Sequence, residues 1–540
     1  MKKLLAIALC CAMLTGCTAA PVATTAVPTE TQAAVPQFRP VGNLVDIQLL
    51  DQDISITGDS SGVFISRDIV YYEDKEEYAS GYPYGDGEDY ERHSRQEAEE
   101  HLVVNITAPG TYRLRGCLSK GQIRIDLGKE AYSDPNAVVN LILDGVEITC
   151  TVAPAILFQN VYECDGSWSV DTAKPDVDTI AAGANLVLAE GSENTVTGSH
   201  VAKIYQDKEG EKKLWKQDGA IYSYMSMNVY GPGMLDLNAD NEGLDTELHL
   251  SIFGGDIRIK SGNDGINTNE DGVSVTAIHG GSLRISAGLG EEGDGIDSNG
   301  YLVIYGGTVI SAANPAADAG LDSDLGSFIH GGTVIALGSA MDWAESDSGQ
   351  VTMNLQFAQM QTGDIRVTRE DGSEVFSFDP AEDAVIGLNN RSYQGAILSC
   401  PGFRLGDGYH VYVGGILMAY TGTDVMQRPG GMPPAEGGQR PEGGPQFPGM
   451  PEGQTPPGDM PQPPEGDFTI PPQPGQGQPA VPQGTMPQGE MPTWPQGQTP
   501  QGTMGGQTTP GGFPAEGGEK QTLFFMQDKV NFFTGLVPAE

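Results

Sequence analysis

Acidic residues recur in this chain where neighbouring copies could share a cation. Glu242-Gly243-Leu244-Asp245-Thr246-Glu247 is followed by Asp264-Gly265-Ile266-Asn267-Thr268-Asn269, then Asp294-Gly295-Ile296-Asp297-Ser298-Asn299, then Ala319-Gly320-Leu321-Asp322-Ser323-Asp324. Asp218-Gly219-Ala220-Ile221 reads as an earlier, degenerate copy. In extended backbone, successive side chains point to opposite faces. With Leu244, Ile266, Ile296 and Leu321 inward, Asp245, Asn267, Asp297 and Asp322 form one outward column. Glu247, Asn269, Asn299 and Asp324 form a second, while parity leaves the direction of Glu242, Asp264 and Asp294 open. Like charges 4 Å apart repel by about 1 kcal/mol in water and about 4 kcal/mol at the effective dielectric of a protein surface. Such a ladder needs dilution by Asn or neutralisation by a cation. Calcium, which takes roughly six to eight oxygen ligands, is the expected ion. Its expected ligands are Asp245, Glu247, Asp264, Asn267, Asp294, Asp297, Asn299, Asp322 and Asp324. A solvated acidic ladder without metal is the plainer alternative.

Two further groups of residues bear on chemistry. Arg258 and Arg284 each stand three residues after a glycine and fall in one outward column. Beside a calcium ion, such a base could remove the proton next to a uronate carboxylate, the chemistry of a polysaccharide lyase. Surface arginines balanced by Asp256 and its neighbours are the simpler reading. Sugar rings also stack on aromatic faces, so Trp215, Tyr301 and Tyr305, together with Arg258 and Arg284, are the expected carbohydrate contacts. His249, His279 and His330 read as structural residues at varied points of the repeat.

The elements that must hold these residues follow from a second mark. Glycine pairs at Gly254-Gly255, Gly280-Gly281, Gly306-Gly307 and Gly331-Gly332 recur at spacings of 26, 26 and 25 residues. Apolar-alternating strands flank each pair: Leu250 and Ile252, Val275 and Ile278, Leu302 and Ile304, or Phe328 before, and Ile257 and Ile259, Leu283 and Ile285, Val309, or Val334 after. A period near 25 with several short strands and no helical pattern suits a coil of a parallel β-helix. A propeller blade needs about 40–45 residues. The expected fold is all-β, a right-handed parallel β-helix whose coils bury their apolar side only by stacking.

Composition places this solenoid in a longer chain. Lys2 and Lys3, the apolar run Leu4 to Leu14, and Leu14-Thr15-Gly16-Cys17 read as a signal segment over residues 1–17 whose last four residues resemble a bacterial lipobox, with Cys17 the expected lipidated residue and an ordinary secretory signal the alternative. Residues 18–40 read as a tether, 41–426 as the β-helix with an insertion at 67–101. Residues 427–520 are a Pro/Gly/Gln-rich linker expected to be disordered, and 521–540 an apolar tail expected to pack back on the β-helix. The expected location is the extracellular face of the cell membrane, held by lipid alone. With 72 Asp+Glu against 29 Lys+Arg, a net charge of −43 argues against nucleic acid as a partner. Cys117, Cys150, Cys164 and Cys400 lack the short spacing of zinc or redox pairs, and read as free thiols, with a Cys150–Cys164 disulfide the alternative.

Several stretches together resemble a known family. They are Gly110-Thr111-Tyr112-Arg113-Leu114-Arg115-Gly116 with Gly121-Gln122-Ile123, then Leu141-Ile142-Leu143-Asp144-Gly145-Val146-Glu147-Ile148, and Leu186-Val187-Leu188-Ala189-Glu190-Gly191-Ser192-Glu193-Asn194-Thr195. With the Asp-Gly-Ile copies, they resemble bacterial calcium-binding β-helix proteins of the carbohydrate-binding domain-containing type. The likeness covers roughly residues 45 to 420 and implies a pectate-lyase-like fold and polysaccharide binding. Calcium-dependent binding of a polysaccharide, with uronate-rich glycans in view, is therefore the leading expectation. A calcium-dependent lyase and a structural surface protein or adhesin remain the alternatives.

Overall fold

The computed structural model describes residues 36–540 apart from 37, 52, 74–83, 86, 167, 206–212 and 424–518. The signal segment with Cys17, most of the tether, and nearly all of the linker lie outside the described residues, as does much of the 67–101 insertion. Regular structure in the rest is nearly all strand. Its centre is a solenoid-like stack in which each strand pairs, parallel and in register, with its equivalent one repeat later. Three such ladders make up a coil. The acidic units form one: Gly219–Ser223, Glu242–Thr246, Ile266–Thr268 and Ile296–Ser298, with Leu244 opposite Ile266 and Ile266 opposite Ile296. The strands before the glycine pairs form the second: Leu250–Ile252, Val275–Ile278, Tyr301–Ile304 and Gly326–Ile329. Those after the pairs form the third: Asp256–Lys260, Ser282–Ser286, Thr308–Ala312 and Thr333–Gly338.

Inward parity holds where the sequence is most regular. Leu244, Ile266, Ile296 and Leu321 are fully buried and share one core with Ile257, Ile259, Leu283 and Ile285. Apolar type does not mark the inner face at Val275 and Phe328. Thr276 and Ser327 occupy the inner positions opposite Leu302, and Val275 and Phe328 pack outside the coil with Val303 and Tyr301. The inner hydroxyls are accommodated because they bond one another: Thr268 lies 3.2 Å from Thr276 and 2.9 Å from Ser298, and Ser323 3.0 Å from Ser327. A buried hydroxyl with a partner is tolerated; one without is costly.

Glycines mark two different constraints. The second glycine of each pair turns the corner with positive φ: +107° at Gly255, +84° at Gly281, +85° at Gly307 and +87° at Gly332. The glycine of each acidic unit is needed for space instead. A Cβ on Gly243 would lie 2.4 Å from the Gly265 carbonyl oxygen, and one on Gly265 2.6 Å from that of Gly295. Only hydrogen at these positions lets adjacent coils approach.

The coil pattern stops at Gly338, short of the expected boundary near 426; the next glycine pair, Gly414-Gly415, no longer keeps the 25–26-residue spacing. Ser392–Ser399 then pairs antiparallel with Thr333–Gly338, and Thr352–Thr362 antiparallel with Ser392–Ser399. These strands enclose a second core. The apolar tail belongs to it: Val530–Pro538 pairs parallel with Thr352–Thr362 and buries Phe533 and Leu536. At the other end, antiparallel pairs at Leu44–Leu49 with Ser55–Thr57 and at Val63–Ser66 with Leu102–Ile106 close the first coils. The described part of the 67–101 insertion is not all surface, since Tyr72 is buried and its hydroxyl donates to Gly87 O at 3.1 Å. Cys117, Cys150, Cys164 and Cys400 are all free thiols.

Gly265→Ala should destabilise the chain by about 1–3 kcal/mol, the usual effect of forcing a methyl into packed space. Urea unfolding checks this, and a midpoint equal to wild type would contradict the close-approach argument.

Candidate metal centre

In-register pairing sets Tyr222 beside Asp245, Asp245 beside Asn267, and Asn267 beside Asp297. This is the first acidic column, and Asp322 continues it, its N–H donating to Ile296 O at 2.8 Å. The column points away from the coil interior yet is not solvated at its first coils. Asp245 is fully buried and Asn267 is 7% exposed. Lys216 reaches the column from the strand Lys213–Gln217, its ammonium bonding Asn269 Oδ1 at 2.7 Å; that strand pairs antiparallel with Val201–Tyr205, which in turn pairs with Tyr84–Gly85. Towards the later coils burial lessens: Asp297 and Asp322 are half-buried and Asp324 is exposed.

The residues whose direction parity left open also turn to this column. Glu242 and Asp264 are buried, and oxygens of Asp218, Glu242 and Asp245 all lie within 4.8 Å of one another. Asp218 and Glu242 were not among the expected ligands. Their signal in the sequence was the register of the degenerate first copy, which stacks Gly219 opposite Glu242. Asn267 Nδ2 donates to Glu242 Oε1 at 3.2 Å and Asn269 Nδ2 to Asp245 Oδ1 at 2.5 Å. Asp264 Oδ1 accepts from the Asp294 N–H at 2.7 Å, and Asp294 Oδ1 from the Ala319 N–H at 2.6 Å. The second column is tied up differently. Glu247 accepts from the Tyr222 hydroxyl, and Asn299 Nδ2 donates to Asn269 O at 2.9 Å and Asp271 Oδ1 at 3.1 Å. The amide nitrogen of Asn299 is thus engaged with the turn.

The electrostatics are strained. Burial, reinforced by the Asp218 charge, raises Glu242, and burial with the Glu242 charge raises Asp245 well above the carboxylate range. Burial and the Glu242, Asp297 and Asp294 charges do the same to Asp264. Burial pushes Asp294 up to about 8 against the Ala319 N–H, and pushes Asp297 up to about 7 with help from Asp322. Buried Glu242 Oε2, Asp245 Oδ2 and Asn267 Oδ1 have no hydrogen-bond partner. Buried oxygens normally have one. Unpaired carboxylate and amide oxygens facing one small space are the donor set of a hard divalent cation. The residues fit such an ion.

The expected carbohydrate contacts lie elsewhere. Arg258 pairs in register with Arg284, in the ladder after the glycine pairs. Arg258 lies 3.4 Å from Asp256 and 3.7 Å from Asp236; Arg284 lies 3.0 Å from both Asp256 and Asp383. The next coils place Ile310 and Ile335 in that column. These arginines are salt-bridged and belong to a different ladder from the acids. Tyr305 is part of a ring stack at the corner: Tyr230, Phe253, His279 and Tyr305 follow at centroid distances of 5.0, 4.6 and 4.9 Å, and His330 comes 5.5 Å further. Each ring immediately precedes a glycine pair or, for Tyr230, Gly231. His279 and His330 therefore share one repeat position rather than sitting at varied points, and only His249 stands apart. Within the stack, ring faces cover each other. Tyr301 packs against Phe328 at 6.3 Å. The side chain of Trp215 lies outside the described residues.

The described coils are stacked parallel ladders carrying an acidic column, and comparison with known proteins gives the chain its family. A family profile described as "Carbohydrate-binding domain-containing protein" matches residues 100–385. The chain belongs to that family. A protein of the same description from Acetivibrio thermocellus is 34% identical over 159 residues, 29% of this chain and 45% of the relative. The match thus spans under half the length of that curated relative. Among solved structures, the polysaccharide lyase-like protein from C. thermocellum, as its gadolinium derivative, aligns with a TM-score of 0.32 and 22% identity, covering 54% of this chain and 93% of that one.

The raised acids give the metal-free protein a defined pH dependence. Below about pH 4, folded and unfolded chains are both protonated at Asp294 and Asp297; above it the unfolded chain ionises first, so stability falls until the folded groups also ionise. With folded values of about 8 and about 7, the loss should run from the acid range to near neutrality or slightly above. In chelator, the melting temperature should decline across this window, and Asp294→Asn should flatten the decline. A slope unaltered by this substitution would contradict the assignment.

Proposed function

We propose that the chain binds polysaccharide with the help of calcium held by the acidic column, as a non-catalytic module. Membership of the carbohydrate-binding family supports the polysaccharide partner. The observation that carries the ion is the set of buried, unpartnered oxygens on Glu242, Asp245 and Asn267 beside Asp218. Asp218, Glu242, Asp245 and Asn267 would hold one ion, and Asp264, Asp294, Asp297 and Asp322 would serve the adjoining coils. Bound calcium would supply charge neutralisation and open coordination positions. At the exposed end, by Asp297, Asp322 and Asp324, such positions could accept a carboxylate or hydroxyl of a sugar. An acidic polysaccharide would otherwise be repelled by the net charge of −43.

A lyase reading has less support. Proton abstraction needs a neutral base within hydrogen-bond reach of the substrate at the ion. Arg258 and Arg284 are committed to Asp236, Asp256 and Asp383 in another ladder. Lys216, which does reach the column, is held protonated: burial lowers its affinity for the proton, but Asp218, Asp245, Glu242 and Glu247 outweigh burial. We further read the stack as right-handed, residues 427–520 as a disordered linker, and Cys17 as a lipid anchor that holds the domain at the outer face of the membrane. No helix among the described residues is long and apolar enough to cross a membrane.

Two measurements test this reading together. Calcium should raise the melting temperature of the purified protein, and insoluble pectate should retain it in calcium but not in chelator. Asp297→Asn with Asp322→Asn should weaken retention by roughly tenfold, equivalent to about 1.4 kcal/mol. Retention indifferent to chelator, with no bound metal by elemental analysis, would refute calcium dependence. Unsaturated, ultraviolet-absorbing products from polygalacturonate would show the lyase instead.

A further inference from the structure

The positive charge inside the acidic pocket comes from the chain itself. Lys216 lies on the strand Lys213–Gln217, part of a small three-stranded sheet separate from the coil ladders. Its ammonium sits 2.9 Å from Asp218 Oδ2 and donates to Asn269 Oδ1 at 2.7 Å, with 21% of the side chain exposed. Asp218, Asp245, Glu242 and Glu247 all act on its charge. One ammonium has one charge and three N–H donors. It does not satisfy the pocket, since oxygens of Glu242, Asp245 and Asn267 remain without partners.

A divalent ion and this ammonium need the same oxygens. Asp218 is both the ion-pair partner of Lys216 and one of the three carboxylates clustered within 4.8 Å. An ion drawing on Asp218, Glu242 and Asp245 would stand next to a like charge in a poorly solvated space, where repulsion is strongest. The ammonium is on a flexible four-carbon stem at the edge of a small sheet, so it is the group that can leave.

Resting on the cation reading above, we propose that Lys216 is a tethered counter-ion that fills the acidic pocket without divalent metal and is expelled when a hard divalent cation binds at Asp218, Glu242 and Asp245. The strand Lys213–Gln217 is then a cation-operated flap. It is tied to the first coils through Lys216 while they lack an ion, and loosens when they carry one.

The test uses calcium alone, on the purified full-length chain, by titration calorimetry and hydrogen exchange. Lys216→Met removes the competing charge and should bind calcium roughly tenfold or more tightly than wild type, while melting lower in chelator. Lys216→Arg keeps the charge and should bind like wild type. In unaltered protein, calcium should speed exchange of the amides of residues 213–217. Equal or weaker calcium binding by Lys216→Met, or calcium-slowed exchange at 213–217, would overturn the competition while leaving the calcium site standing. Absence of calcium binding in wild type and both variants would overturn the site itself and this inference with it.

Discussion

Parallel, in-register pairing brings each residue to about 4.8 Å from its equivalent in the next coil. That spacing acts on each type of side chain in turn. Aliphatic residues such as Leu244, Ile266 and Ile296 gain a continuous core from it. Glycine becomes obligatory at 243 and 265, where the neighbouring carbonyl is too close for a methyl. Rings preceding the glycine pairs stack face to face, as Phe253, His279 and Tyr305 do. Inner hydroxyls find each other. Carboxylates are the exception, because for them the same spacing is repulsive.

The fold answers that repulsion in three ways. Asn267 and Asn269 dilute the charge and donate to Glu242 and Asp245. Backbone N–H groups of Asp294 and Ala319 bond to the turn acids of the preceding coil. Lys216 contributes a single positive charge. Together these leave buried oxygens unpaired and the carboxyls of Glu242, Asp245 and Asp264 raised by burial and by neighbouring carboxylates. Exposure rises from buried Asp245 to exposed Asp324, so the two ends of one column have different access; on the proposed reading the first coils would take an ion that holds structure, the last an ion that meets a ligand.

The repeat was legible in the sequence because its marks are local: a glycine pair, and an aliphatic residue followed by an acid. Register then followed from period alone, and Asp245, Asn267 and Asp297 line up as parity requires. What parity could not supply was long-range. That Lys216 would lie over the column depends on a hairpin folding back across it. Nor does parity give the burial of Asp245, so a surface column in the sequence became an enclosed one. Glu242 and Asp264 sit beside turn glycines, where alternation gives no direction. Apolar type alone does not give inwardness either: Val275 and Phe328 lie outside the coil, which buries Thr276 and Ser327 with their hydroxyls paired. The end of the coils at Gly338 was visible in the loss of the 25–26-residue spacing of the glycine pairs, but the antiparallel closing strands beyond it carry no repeat to read.

The central claim is that stacked carboxylates here are a cation site and not merely a tolerated ladder. Anomalous diffraction from crystals grown in calcium and soaked with a lanthanide tests it most directly. The account predicts a peak between Asp218, Glu242 and Asp245, within about 2.3–2.6 Å of their oxygens for calcium, and weaker peaks along Asp294, Asp297 and Asp322. Density showing these acids bridged only by Lys216 and water, at saturating metal, would contradict it.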